Sequence, residues 1–394
     1  MLNKHNQIQN LQYFFVCLFF ASLNFEVFSP IVEQFSVSKM VAILYMASLL
    51  ITPQKLFSTK DFGAPMASVI IMFLLMIFSS MIHGSRQIFD FSIFLNIIMF
   101  WMLLNHTRKD VRVFDEGLFW FSVSSCFVGI CSMIGLGVAI GDDMRVTVFG
   151  ENANNLGFKM GLGTLFLINY CLNHTPSQQI YKPWLLLMII PMVSLLLGTA
   201  SRSSVIFLAV GCILFVLLRP SKKMSTKVLW LVIGSVLLLW GYKTIQKQDV
   251  LMKRMERTIN EGSLSTRDEI WAVYGQVIRA HPTLGVGFSG GEKASREQFG
   301  YVRSPHNVFL EVALYSGVIG LSFFAFFMFL MFRGAWRYYI RLQDIGPLMT
   351  CVALLMLVLS GQALSQKMFW AFAAYAISFP IYKNRIPILS NSEE

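Results

Sequence analysis

The residue types best suited to chemistry gather around His306. It stands in Ser304-Pro305-His306-Asn307, and nine residues separate that stretch from Gly317-Val318-Ile319-Gly320. Ser304 reads as a helix N-cap and Pro305 as the first helical residue, where a missing N–H is no loss. The apolar run behind them predicts a helix. In its first turn the positive end of the helix dipole disfavours imidazolium and leaves a neutral ring able to accept a proton. The same mouth attracts anions, and Arg145, Arg202, Arg267 and Arg303 offer planar forks that suit phosphate oxygens. A general base near guanidinium groups suits a reaction with a diphosphate leaving group; a structural histidine is the other reading. At about 100° per residue, Gly317 and Gly320 fall on nearly one face below His306, a small-residue seam that lets a neighbouring backbone approach closely.

What must position these residues is a membrane scaffold. The chain has 394 residues, 55% hydrophobic and 13% charged, against about one quarter charged in a soluble domain. The fold class expected is all-α, a polytopic integral membrane protein, because backbone polar groups in lipid need internal partners and no alternating barrel segments are seen. Runs able to cross roughly 30 Å of hydrocarbon give about twelve spans: 11–29, 37–52, 64–83, 90–105, 116–140, 155–173, 183–198, 202–218, 227–244, 306–332, 346–364 and 366–382. The layout is therefore helices over 1–244, one long and partly helical outer loop over 245–305, helices again over 306–382 and a tail over 383–394.

Lys and Arg set the orientation. Lys4, Lys55, Lys60, Arg108, Lys109, Arg112, Lys182, Arg219, Lys222, Lys223, Lys227, Arg333, Arg337, Arg341, Lys383 and Arg385 crowd one side, against Lys39, Arg86, Arg145, Lys159, Arg202 and Lys367 on the other, so both termini are expected in the cytoplasm. The net charge of +11 then reads as topology and attraction for the lipid bilayer, with no nucleic acid partner. All six cysteines fall inside expected spans, with no disulfide framework and no metal spacing.

The outer connections carry the remaining polar residues. The segment from Gly141 to Asn155 has two readings for Arg145, a structural turn or a donor on a polar rim, while Asn154 and Asn155 read as helix caps. Arg202 follows Ser201 in a tight hairpin, where it either snorkels to lipid or meets a substrate phosphate. In the long loop Thr266 and Glu269 form a capping box; the helix they open puts Arg267 and Trp271 on one face and stops at His281-Pro282. Lys253, Arg254 and Arg257 form a basic face on the membrane surface. The turn from Leu284 to Gly291 reads as flexible, with no strand before it to make a dinucleotide or P-loop site.

His306-Asn307 with Gly317-Val318-Ile319-Gly320, the loop residues Ser265-Thr266-Arg267, Trp271, His281-Pro282 and Gly285-Val286-Gly287, and the Ser201-Arg202 and Gly150 to Asn155 segments together resemble the O-antigen ligase and polymerase superfamily. That resemblance implies a metal-independent, inverting glycosyltransferase with no cofactor, in the bacterial inner membrane. It would take a glycan from undecaprenyl diphosphate at the periplasmic face and pass it to the lipid A core in a ligase or to another lipid-linked glycan in a polymerase. By the same resemblance His306 would activate or orient the acceptor hydroxyl, with Asn307, Trp271, Gly317 and Gly320 in support. Arg267, counted with His306 as catalytic, Arg202 and Arg145 would hold the diphosphate, and Arg303 is the further outer arginine that could join them. Ligase members are described by Arg-x-x-x-Leu in the loop; here Trp271 stands fourth after Arg267, so ligase and polymerase both stay open, with the histidine-to-glycine spacing on the ligase side. A transporter or flippase is the competing class.

Overall fold

The structure, a computed structural model, describes residues 2–29, 35–52, 56–58, 60–110, 112–141, 144–173, 182–218 and 267–383. The expected span 227–244, the basic face of Lys253, Arg254 and Arg257, and the capping residue Thr266 lie outside them. Within them the chain is overwhelmingly helical, as its apolar runs require. The helices are α1 (Leu2–Ser22), α2 (Val37–Leu50), α3 (Gly63–Ile82), α4 (Phe91–Lys109), α5 (Arg112–Met133), α6 (Ala153–Asn173), α7 (Lys182–Leu187), α8 (Ile189–Gly198), α9 (Arg202–Leu218), α10 (Arg267–Ala280), α11 (Glu292–Phe299), α12 (Val308–Leu342), α13 (Gly346–Ser360) and α14 (Lys367–Lys383). Four of them, in α1, α3, α5 and α12, are long and apolar enough by themselves to cross a membrane; the stretches at 37–50, 184–198, 202–218 and 346–360 are shorter apolar helices.

The core is organised around α14. From Met368 to Ile377 every residue is buried, so this helix is apolar on all sides and needs neighbours on all sides. Trp370 packs against Phe100 of α4 and Phe327 of α12, while Phe372 meets Phe20 of α1, Phe121 of α5 and Phe166 of α6. Ala371, Ala373, Ala374 and Ala376 keep the helix thin enough for that enclosure. The outer helices do the reverse. Leu74 and Phe78 of α3, Phe127 and Ile130 of α5 and Phe326 and Phe329 of α12 are exposed, which is stable only with hydrocarbon as the solvent.

Two departures from the sequence reading bear on the site. The expected span 116–140 ends at Met133, because Gly135 and Gly137 both take positive φ. The chain then forms a small antiparallel hairpin, β1 (Val138–Ile140) with β2 (Val146–Val148), in the register Val138 to Val148 and Ile140 to Val146. The larger departure is in α12, which is not one straight rod. Gly317 has φ 63° and ψ −165°, a conformation open essentially to glycine alone, and it divides an upper segment, 308–316, from a lower one.

The break leaves backbone groups without helical partners, and the loop after α10 supplies them. Val286 N–H donates to Leu314 C=O at 2.7 Å, and Val318 N–H donates to Pro282 C=O at 2.8 Å. A methyl on Gly317 would lie 2.2 Å from Thr283 O, and one on Gly285 would lie 2.3 Å from Leu314 O. The glycines read as a seam and as a flexible turn thus belong to one contact. Gly317 does admit a neighbouring backbone, that of the loop. Gly320 faces its own Ser316 Oγ instead. On its other side the loop is pinned to the end of α3: Phe288 N–H donates to Ser80 Oγ, and Ser85 Oγ donates to Val286 C=O.

Candidate functional site

The upper segment of α12 begins at Val308, and its cap is Asn307, whose Oδ1 accepts from the N–H groups of Phe309 and Leu310. The expected cap, Ser304, instead accepts from His306 N–H at 3.2 Å, and Pro305 lies ahead of the helix. Asn307 wins because its side chain satisfies two orphan donors at once, which leaves the Pro305 carbonyl available elsewhere. His306 therefore sits just before the cap, not in the first turn, with φ 48°. Left-handed backbone at a non-glycine residue persists only where its surroundings enforce it.

Those surroundings are α10. Trp271 Nε1 donates to Pro305 C=O at 2.8 Å, and the Tyr274 hydroxyl donates to Arg303 C=O. Arg267, one turn before Trp271 on the face expected for both, donates from Nη2 to Ser360 C=O at 3.1 Å and lies near enough to act electrostatically on His306. The imidazole is pushed below its ordinary pKa, first by burial and second by the Arg267 charge. A neutral ring at physiological pH is thus held next to a fixed cation, the combination wanted where a proton is to be accepted and an anion received.

The other arginines divide. Arg303 is half-buried, with its guanidinium over Phe299 at 4.7 Å and Tyr301 at 4.9 Å and a buried Nε that has no hydrogen-bond partner. Arg202 is the first residue of α9, half-buried, in a hairpin where Ser201 and Ser204 hydroxyls meet at 2.8 Å and Ser204 also donates to Asn154 C=O. Arg145 is buried. Its Nε donates to Thr199 C=O at 2.8 Å and its Nη2 to Asn154 Oδ1 at 2.5 Å, so it ties the hairpin to the end of α8 and the start of α6. His306, Arg267 and Trp271, with Arg303 through its backbone, form one group; Arg145, Arg202 and the two asparagines form a second. The groups meet where Gly361, next to Ser360, approaches Asn155: a methyl there would be 3.9 Å from Asn155 Oδ1.

Sequence reasoning passed over the charges beneath this junction. Lys159, 1% exposed, pairs with Glu151 and lies 3.9 Å from Glu26. Lys367 is 3.6 Å from Glu26, whose Oε1 also accepts the Lys367 N–H at 2.6 Å. Asn155 donates to Glu151 at 3.4 Å. A lysine inside an apolar span is itself a signal, since such charges are retained only with partners; Lys159 was read as an outer topology marker alone. Glu311, one turn into α12, is also buried, with one carboxylate oxygen accepting from Tyr315 and the other unpartnered.

A bundle whose outer faces are apolar is that of a membrane-embedded protein. Residues 187–325 match the family model described as O-antigen ligase, which supports the superfamily that the motifs resemble. The match spans Arg202, Arg267, Trp271, Arg303, His306, Asn307, Gly317 and Gly320; Arg145 and the Lys159 cluster lie outside it. No curated protein matches the chain.

Proposed function

We propose that the protein transfers a glycan from undecaprenyl diphosphate to an acceptor hydroxyl at the outer face of the bacterial inner membrane, as an O-antigen ligase acting on the lipid A core. The observation that carries this reading is the neutral His306 held beside Arg267 at the mouth of a broken membrane helix, within the stretch matched to the O-antigen ligase family. Helices over 1–244 and 306–382 are the scaffold, with both termini cytoplasmic, and 245–305 is the periplasmic loop.

In the reaction the acceptor oxygen attacks the anomeric carbon from the side opposite the diphosphate and gives its proton to His306. The bond from that carbon to the phosphate oxygen breaks, so the configuration inverts. The electron pair leaves on polyprenyl diphosphate, whose charge Arg267 meets, with Arg202 and Arg303 extending the guanidinium rim. Arg145 holds the rim through Asn154 and Thr199. No metal or cofactor takes part in this scheme.

The test is His306→Ala in membranes with intact insertion. Transfer should be lost, and transfer at the normal rate would refute the assignment. Glycolipids from cells lacking the gene choose the acceptor. Core without any O-unit supports the ligase, core with one unit supports a polymerase, and unchanged core points to another surface polysaccharide.

A further inference from the structure

The junction between the two arginine groups rests on four charges, two of them buried and two, Glu26 and Lys367, nearly so. Glu26 comes from the turn after α1, Glu151 from the turn before α6, Lys159 from α6 itself and Lys367 from the start of α14. They sum to zero, which is the condition for keeping charges out of water. Lys39 of α2 adds a further positive field at Lys367. Each carboxylate also reaches the backbone or an amide of the rim. Glu151 accepts from Asn155, whose neighbour Asn154 holds Arg145. Glu26 accepts from the first N–H of α14, at the end of the 361–366 turn that begins beside Ser360, the acceptor of Arg267.

We infer that Lys159 and its partners Glu151, Glu26 and Lys367 are positioning residues for the glycan-transfer site: through Asn155–Asn154 and the 360–366 turn, they set where Arg145 and Arg267 stand. The inference rests on the proposed function for its readout in activity, but not for its readout in structure. Lys159 is the keystone because it alone faces both carboxylates. Its removal leaves the Glu26 and Glu151 carboxylates with a single cation, Lys367, and an uncompensated negative charge held away from water. A displacement of about 1 Å at a reacting group costs on the order of a hundredfold in rate, so a rim that shifts on losing this balance shows itself in transfer.

The experiment compares Lys159→Met, Lys159→Met/Glu151→Gln and the parent in detergent, using a lipid-diphosphate glycan donor and amide hydrogen exchange over 151–156 and 360–366. Lys159→Met should lose transfer on the order of a hundredfold near neutral pH and exchange faster in both segments. The double variant carries balanced charges again and should regain both protection and transfer at neutral pH. If Lys159→Met does not fold, the double variant decides alone: folded and active supports the inference, folded and inactive overturns it. Parent-like exchange and transfer in Lys159→Met also overturn it. A parent without transferase activity refutes the proposed function instead, and the exchange data then still test the positioning role.

Discussion

Replacing Gly317 with alanine is the sharpest perturbation of this architecture. The backbone there has φ 63° and ψ −165°, a region whose occupation by a side-chain-bearing residue costs about 1–3 kcal/mol. The new methyl would also sit 2.2 Å from Thr283 O and 2.5 Å from Leu284 N, atoms of a backbone that cannot rotate aside. Relief requires the loop to leave the break, with loss of the Val286–Leu314 and Val318–Pro282 hydrogen bonds. Each is worth about 0.5–1.5 kcal/mol net, so the whole falls between about 2 and 6 kcal/mol. At about 1.4 kcal/mol per tenfold, loop opening should rise roughly thirtyfold or more. Amide exchange of Val286 should report that rise, and glycan transfer should fall with it. Gly285→Ala attacks the same contact from the loop side, where φ is 67° and Leu314 O is 2.3 Å away, and should behave alike. Gly320→Ala would overlap Ser316, at 1.9 Å from Oγ and 2.4 Å from Cβ, but no loop atom, and Gly334→Ala meets nothing within 4 Å; both should keep the loop closed. Parent-like protection of Val286 in Gly317→Ala would sink the reasoning, as would equal effects at all four glycines.

Three further outcomes follow from the site. His306 is lowered by burial and then by Arg267, so Arg267→Gln should shift the acidic limb of the surviving transfer rate to higher pH by only part of the total displacement; a shift to lower pH contradicts the electrostatic reading. The same lowered value means that the unfolded chain takes up the proton more readily. Stability should therefore decline as pH falls through about 6.5, and His306→Ala should flatten that decline in a melting series. Arg145→Lys cannot span both Thr199 C=O and Asn154 Oδ1 as the guanidinium does; it should lower thermal stability by about 1–3 kcal/mol and loosen amides at the hairpin, and an unchanged melting temperature refutes the anchoring role.

Features settled within a turn or two of sequence were legible. Arg267 and Trp271 share a face because helical spacing requires it, whereas Asn154 and Asn155, expected as caps, lie inside α6, and it is Asn152 whose Oδ1 accepts the Asn154 N–H. The start of α12 was misplaced because Ser304-Pro305 and Asn307 both satisfy cap rules. The choice is made by Trp271, which takes the Pro305 carbonyl from far away in sequence. The end of α5 was readable from Gly135 and Gly137 but was masked by the apolar residues that continue past them. Gly317 and the Leu284 to Gly291 turn each look ordinary alone; only their docking explains both. Lys159 was opaque for the same reason, since Glu26 is distant in sequence and no periodicity links them.

The break in α12 and the position of His306 are one structural fact. Unpaired backbone groups in hydrocarbon cost several kcal/mol each, so the upper segment of α12 can leave the line of the lower one only while the loop fills the gap. The same loop follows directly from α10, which carries Arg267 and Trp271 and fixes the strand leading into His306. Broken helices and buried charges are also features of transporters. Here, however, the break is filled by the chain's own backbone, and the buried charges brace the rim from below. Loop docking therefore brings His306 and Arg267 together in a single event, and a ligand that held the loop closed would preorganise both.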